Sequence, residues 1–91
     1  MQIIGHRGAR GEAPENTLSG FKHLKSLGVR AAEFDIRVSQ DGQLVVIHDD
    51  SVDRTTNGSG LVHQKTLAQL TALNACTHFG SWPHDDGVPS L

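Results

Sequence analysis

The sequence predicts an α/β fold. Residues alternate strictly in polarity from Ala32 to Val38, an aliphatic run extends from Leu44 to Ile47, and an apolar stripe at helical spacing covers Leu18 to Leu27. Hydrophobic residues make up 36% of the 91 and ten more are glycine, which sets aside low-complexity disorder and collagen-like repeats. One domain is the most this length allows, with a modest core, unless the chain is part of a larger domain.

Gln2-Ile3-Ile4 is short and β-leaning and runs into Gly5, and Gly8 and Gly11 interrupt the polar stretch behind it. That pattern predicts a strand feeding a loop, and the loop carries His6, Arg7 and Arg10. Pro14 suits a first helical position and Glu15 suits the positive end of a helix dipole. The helix they open presents Leu18, Phe21, Leu24 and Leu27 on one broad face and stops at Gly28. From Ala32 to Val38 a single strand is predicted, with Ala32, Phe34, Ile36 and Val38 on one face and Glu33, Asp35 and Arg37 on the other. Asp41-Gly42 marks a turn into a second strand, Leu44 to His48, buried on both faces or nearly so, and the two strands form a hairpin. Asp49 to Gly60 is polar and rich in turn residues. Thr66 then caps a helix with Leu67, Leu70 and Leu73 on one side. Residues 80–91 contain two prolines and read as an irregular segment.

Eight Lys and Arg against ten Asp and Glu give a net charge of −2, so no electrostatic case exists for general nucleic-acid or anionic-membrane binding. A local basic pocket remains compatible with that balance. No apolar run approaches a membrane span, and no charged leader precedes an apolar segment, so membrane insertion is not expected. The one cysteine, Cys76, rules out an intramolecular disulfide framework and reads as a small buried residue, in keeping with a reducing, cytoplasmic location.

Glu33 and Asp35 lie two apart on the predicted strand, so their side chains point the same way and can converge on one hard cation. Alternating charges are equally the solvated face of a half-exposed antiparallel strand, and alone they favour that reading. His6 follows the first strand and His48 ends a later one. With those strands side by side the two imidazoles share a rim, where they can divide general-base and general-acid roles. His23, His63, His78 and His84 have no such placement and read as surface or structural. Arg7 can fork onto phosphate oxygens, or form an ordinary ion pair. The run Arg54-Thr55-Thr56-Asn57-Gly58-Ser59-Gly60 can close over an oxyanion, but it lacks the lysine and spacing of a nucleotide P-loop, and its composition suits a plain surface loop.

In order, His6-Arg7-Gly8, Pro14-Glu15-Asn16-Thr17, Glu33-Phe34-Asp35, His48-Asp49-Asp50 and the 54–60 run closely resemble the glycerophosphodiester phosphodiesterase family. Each motif is weak alone, but five in one order with compatible spacing, over positions 3 to about 73, are highly specific. Val88-Pro89-Ser90-Leu91 also resembles the family's lead-in to its next helix. The resemblance implies a TIM barrel that hydrolyses small-molecule glycerophosphodiesters to glycerol 3-phosphate and an alcohol with a divalent cation, Ca²⁺ or Mg²⁺. It further implies His6 and His48 as the acid–base pair, Arg7 as a phosphate ligand, Glu33 and Asp35 as metal ligands, and Asn16 close to the metal and phosphate site. In the mechanism often assigned to the family, the substrate's neighbouring hydroxyl attacks phosphorus and water later opens the cyclic product.

A (β/α)₈ barrel takes roughly 200 residues or more. Residues 1–91 are therefore expected to be the N-terminal part of such a barrel, incomplete in this chain, with a further acidic metal ligand and a lysine of the family pattern lying beyond it. A catalytically inactive remnant that binds phosphate or a protein partner is the alternative. Open strand edges and the apolar run at Val45, Val46 and Ile47 lead to an expectation of self-association, or of a partnership with the missing part of the barrel.

Overall fold

The computed structural model describes residues 4, 5, 7, 12–29, 31–80, 82, 83 and 85–91. Its elements in chain order are β1 (Ile4–Gly5), α1 (Leu18–Ser26), β2 (Ala31–Ala32), β3 (Ile36–Val38), β4 (Leu44–Val46), a 3-10 turn (Val62–Gln64) and α2 (Leu67–Thr71). β1 and β2 pair in parallel, Ile4 opposite Ala31 and Gly5 opposite Ala32, with α1 as the crossover. This is a βαβ unit, the repeating unit of parallel α/β folds. β3 and β4 form the expected antiparallel hairpin, with Ile36 opposite Val46 and Val38 opposite Leu44. Of the predicted first strand, Gln2 and Ile3 lie outside the described residues.

The single strand predicted from Ala32 to Val38 is in fact two. Residues 31–32 follow β1 and residues 36–38 follow β4, so the chain changes hydrogen-bonding partner between them. Glu33, Phe34 and Asp35 occupy the changeover and belong to neither ladder. Polarity alternation reports which way side chains point, and an extended crossover keeps the same alternation without pairing.

α1 also starts later than Pro14. Thr17 is its N-cap: the hydroxyl accepts from Gly20 N at 3.1 Å and donates to the Pro14 carbonyl at 2.9 Å. Pro14 to Asn16 thus form a turn ahead of the helix. Of the predicted stripe, Leu24 is buried against Ala13, Val29 and Trp82, whereas Leu18 and Leu27 are more than half exposed. Gly28 ends the helix at φ +78°, a left-handed conformation that glycine adopts without a Cβ penalty.

Val45, Ile47, Val52, Val62, Leu70 and Val88 form the main core, with Leu67 and Leu73 packed on it. α2 is placed over this core by a capping box, in which Thr66 Oγ1 accepts from Gln69 N and Gln69 Oε1 accepts from Thr66 N. Residues 80–91 contain no helix or strand among those described, yet they are tied in at both ends. Asp86 Oδ2 accepts from Ser19 N at 2.7 Å, Val46 N donates to Pro89 O at 2.8 Å, and Leu91 N donates to Leu44 O at 3.0 Å. Gly87 is required there, because a Cβ at this position would lie 2.0 Å from the Thr71 carbonyl oxygen.

This segment and α2 cover β4, so Val45, Val46 and Ile47 are buried and are not the association surface the sequence suggested. The exposed apolar side chains near the hairpin are instead Phe34, Ile36, Val38 and Leu44. No helix among the described residues is long and apolar enough to cross a membrane.

Replacing the fully buried Leu70 by alanine should destabilise the fold by about 2–5 kcal/mol, whereas Leu27→Ala on the open side of α1 should stay within about 0.5 kcal/mol. Urea unfolding monitored at Trp82 measures both, and equal midpoints would contradict this core.

Candidate active site

Arg7 lies two positions past the end of β1, and Asn16 sits in the turn before α1. Both adopt the left-handed region, at φ +50° and +51°, and Asn16 N donates to Arg7 O at 2.8 Å. Asparagine tolerates this conformation. For arginine it costs on the order of 1–2 kcal/mol, and strain of this kind collects at functional sites. The paired turns bring both side chains to Asp35: Asn16 Nδ2 donates to Asp35 Oδ2 at 3.0 Å, and Arg7 Nε lies 3.8 Å from the same oxygen. Asp35 is itself pinned, since its carbonyl accepts from Ile47 N at 3.0 Å.

A second group is built around Arg54. Its Nη1 and Nη2 donate to the two Glu15 oxygens, each at 2.8 Å, while Nε and Nη2 donate to the two Asp49 oxygens at 2.8 and 3.0 Å. A planar guanidinium suits such double forks, which an ammonium cannot reproduce. The hydrogen bonds to Glu15 and then Asp49 push the Arg54 pKa further up. Arg54 in turn holds the Asp49 carboxyl well below the usual carboxylate range.

Asp49 Oδ1 contacts His48 Nδ1 at 2.7 Å. An ionised carboxylate only accepts, so the proton of a neutral His48 ring resides on Nδ1 and the lone pair on Nε2. Arg37 Nε donates to the His48 carbonyl at 3.0 Å and steadies its backbone. Glu15 joins the two groups, with Arg7 Nη1 3.5 Å from its Oε2.

Two buried polar atoms, Arg7 Nε and Asn16 Oδ1, have no hydrogen-bond partner among the described residues. One is a donor and the other an acceptor, and leaving either unsatisfied costs about 1–3 kcal/mol. Arg7 Nε fits an anionic oxygen and Asn16 Oδ1 fits a hard cation. The carboxylates of Asp35 and of Glu33, an exposed residue at the same crossover, are oxygen donors of the type Ca²⁺ and Mg²⁺ take. No group of three or more His, Cys, Asp or Glu side chains converges as a metal cage among the described residues.

Of the residues singled out in the sequence, the structure therefore gathers Arg7, Asn16 and Asp35, with Glu33 two positions away and His48 linked through Asp49, Arg54 and Glu15. His6 lies outside the described residues. The route by which His48 joins the group differs from strand adjacency, because among the described residues β1 pairs with β2 and not with β4. The 54–60 run reaches outward at Arg54, which bonds Glu15 and Asp49, and at Asn57, which exchanges hydrogen bonds with Asn74, while its middle is closed on nearby residues. Gly58 N donates to Thr56 Oγ1, Gly60 N donates to Asp53 Oδ1, and the buried Thr56 hydroxyl donates to Val52 O, so these groups are engaged internally. His78 has a structural contact, Nε2 to Thr56 O at 2.9 Å. Cys76 is buried, and burial pushes its thiol pKa up.

Sequence reasoning missed Glu15, Asp49 and Arg54 as parts of the site. In the sequence Glu15 has the place of a helix-dipole residue and Arg54 that of a loop residue, and a separation of 39 positions offers no periodicity to pair them. The usable signal was charge: one arginine in a loop of hydroxyls and glycines, with a glutamate inside a Pro-Glu-Asn-Thr turn.

A parallel βαβ unit with charged side chains gathered beyond the carboxyl ends of its strands is the arrangement of (β/α)₈-barrel enzymes. The chain belongs to the Glycerophosphoryl diester phosphodiesterase family, whose model matches residues 6–91. It is 44% identical to the glycerophosphodiester phosphodiesterase of Caldanaerobacter subterraneus subsp. tengcongensis over 98% of this chain and 37% of that protein. A glycerophosphodiester phosphodiesterase crystal structure from Agrobacterium tumefaciens superposes with a TM-score of 0.93 at 40% identity, covering 100% of this chain and 39% of that one. An Oleispira antarctica phosphodiesterase in complex with sn-glycerol-3-phosphate also gives 0.93 at 40% identity, over 100% of this chain and 37% of that one. The chain thus spans little more than a third of the length of these relatives and has the fold of the N-terminal part of a TIM barrel.

Asn16→Gly removes the Asp35 hydrogen bond but suits the left-handed turn, whereas Asn16→Ala loses the bond and strains the turn. Alanine should therefore be the less stable of the two by about 1 kcal/mol, and identical melting curves would contradict the conformation at Asn16.

Because the Asp49 carboxyl is held below its ordinary value of 3.8, its stabilising contribution is fully present above that pH and is lost as pH falls through the lower folded value. Wild type should melt above Asp49→Asn at pH 4 and higher, with the difference shrinking as pH falls below about 4.

Proposed function

We propose that this chain supplies the N-terminal half of the active site of a phosphoric diester hydrolase acting on small glycerophosphodiesters, releasing glycerol 3-phosphate and an alcohol. The observation that carries the reading is the joint placement of Arg7, Asn16 and Asp35, with a donor and an acceptor that have no hydrogen-bond partner among the described residues, on a charge network that ends at His48. Family membership and the product named for the Oleispira antarctica structure support the same chemistry.

In this reading Arg7 Nε binds a non-bridging phosphate oxygen, and its charge stabilises the additional negative charge that builds on phosphorus in the transition state. His48 takes or gives a proton at Nε2, and His6 serves as its counterpart. Proton transfer at this site is worth about 10² to 10⁴ in rate. Glu33 and Asp35, with Asn16 Oδ1 as a further oxygen, hold one divalent cation, Ca²⁺ or Mg²⁺. When bound, that ion draws charge from the phosphoryl oxygens as a Lewis acid. The attacking group is the substrate's own neighbouring hydroxyl. Its proton leaves to a histidine, the bond from phosphorus to the alcohol breaks with protonation of the leaving oxygen, and water then opens the cyclic diester. A reducing, cytoplasmic location is part of the same proposal and is supported by the single cysteine, Cys76. The protein's macromolecular partner is the rest of the barrel or a second copy, meeting the exposed Phe34, Ile36, Val38 and Leu44.

Glycerophosphocholine turnover, measured on the 91-residue chain and on a version extended past Leu91 by the remaining barrel, tests this function. In the extended protein His48→Ala should lose about 10² to 10⁴ in rate. Chelation should abolish activity, with Ca²⁺ or Mg²⁺ restoring it. A His48→Ala protein at near wild-type rate would overturn the catalytic assignment. Equal calorimetric metal affinity for wild type and a Glu33→Gln, Asp35→Asn double variant would overturn the metal site. An extended protein that binds phosphate without turnover would favour the inactive-remnant alternative.

A further inference from the structure

We propose that Asp49, Arg54 and Glu15 act as a positioning relay for His48, holding its ring with Nδ1 protonated and Nε2 turned to the reacting phosphate, and tying that orientation to the Arg7–Asn16 turn. The inference deepens the phosphodiesterase reading and rests on it for the role of Nε2, but the ring geometry stands on its own contacts.

Asp49 follows His48 in the chain, so its carboxylate reaches Nδ1 only in a restricted set of rotamers. A short side chain of this kind is free to turn to water unless something holds it. Arg54 holds it with two hydrogen bonds, at 2.8 and 3.0 Å, and both carboxylate oxygens are engaged. Arg54 is held in turn by two bonds of 2.8 Å to Glu15, whose side chain is only 10% exposed. Glu15 is the covalent neighbour of Asn16 and also meets Arg7 Nη1 at 3.5 Å. A displacement at Arg54 therefore alters two things together: the imidazole that moves a proton and the turn that presents Arg7 and Asn16. Carboxylate–imidazole pairs fix tautomer and ring orientation in this way, and the partners behind a catalytic group alter rate without touching substrate.

A stabilising ion-pair bridge with no bearing on His48 predicts lower stability in its variants and nothing else. The relay predicts a change in the His48 tautomer and in kcat with little change in KM. Long-range ¹⁵N NMR of the imidazole at about pH 8, where an unperturbed ring is neutral, reads the tautomer, and glycerophosphocholine kinetics of the barrel-completed protein read the rest.

Wild type should show the Nδ1–H form. In Asp49→Asn the Nε2–H form should grow and kcat should fall by about 10- to 100-fold, with KM within about two-fold. Asp49→Glu, which keeps a carboxylate, should recover part of both. Arg54→Lys, which keeps the charge but loses the double fork, should shift both readouts in the same direction by a smaller amount, and it carries the test if Asp49→Asn does not fold. Wild-type tautomer and kcat in a folded Asp49→Asn or Arg54→Lys protein would overturn the relay. Full turnover by His48→Ala would instead overturn the catalytic reading, and the NMR comparison would still decide whether the ring is held as described.

Discussion

Arg54 is the hinge of the charged half of this molecule, because one planar guanidinium forks onto two carboxylates from distant parts of the chain, Glu15 ahead of α1 and Asp49 after β4. Exposed ion pairs between flexible side chains contribute little. This one differs in geometry, with four hydrogen bonds on one cation and Glu15 largely covered. Removing Arg54 takes away the one group that bonds both carboxylates, leaving Glu15 with its 3.5 Å contact to Arg7 and Asp49 with its 2.7 Å contact to His48. The network therefore constrains where the Pro14–Thr17 turn sits relative to the end of β4, and Arg7, Asn16 and His48 depend on that relation.

The changeover between β2 and β3 is the second constraint. Residues 33–35 leave one ladder before joining the next, so their backbone is not committed to regular pairing, and of their side chains Asp35 meets the Arg7–Asn16 turn. Asp35 uses that position in two ways, with its carbonyl receiving Ile47 N and its carboxylate receiving Asn16 Nδ2.

Hydrophobic packing supports both constraints from below. Leu70, Val88 and Val62 close over Val45, Ile47 and Val52, and this small core carries His48 and Asp49 on its upper edge. The segment holding Val88 has no regular structure, yet Pro89 and Leu91 satisfy backbone groups of β4, which explains how an irregular stretch is held in place without a helix or strand of its own.

Much of this was legible in the amino-acid order. Alternation and the Asp41-Gly42 turn marked the hairpin, Thr66 with its leucines marked α2, and five ordered motifs marked the family and the residues to watch. These signals are local, set by side-chain direction and turn chemistry over a few residues. What tertiary structure alone decided is non-local. The partner exchange at 33–35, the exposure of Leu18 and Leu27, the covering of Val45 to Ile47, and the Glu15–Arg54–Asp49 link all depend on which distant segments meet. No period in a sequence encodes a contact 39 positions long, because it is selected by the packing of the whole chain.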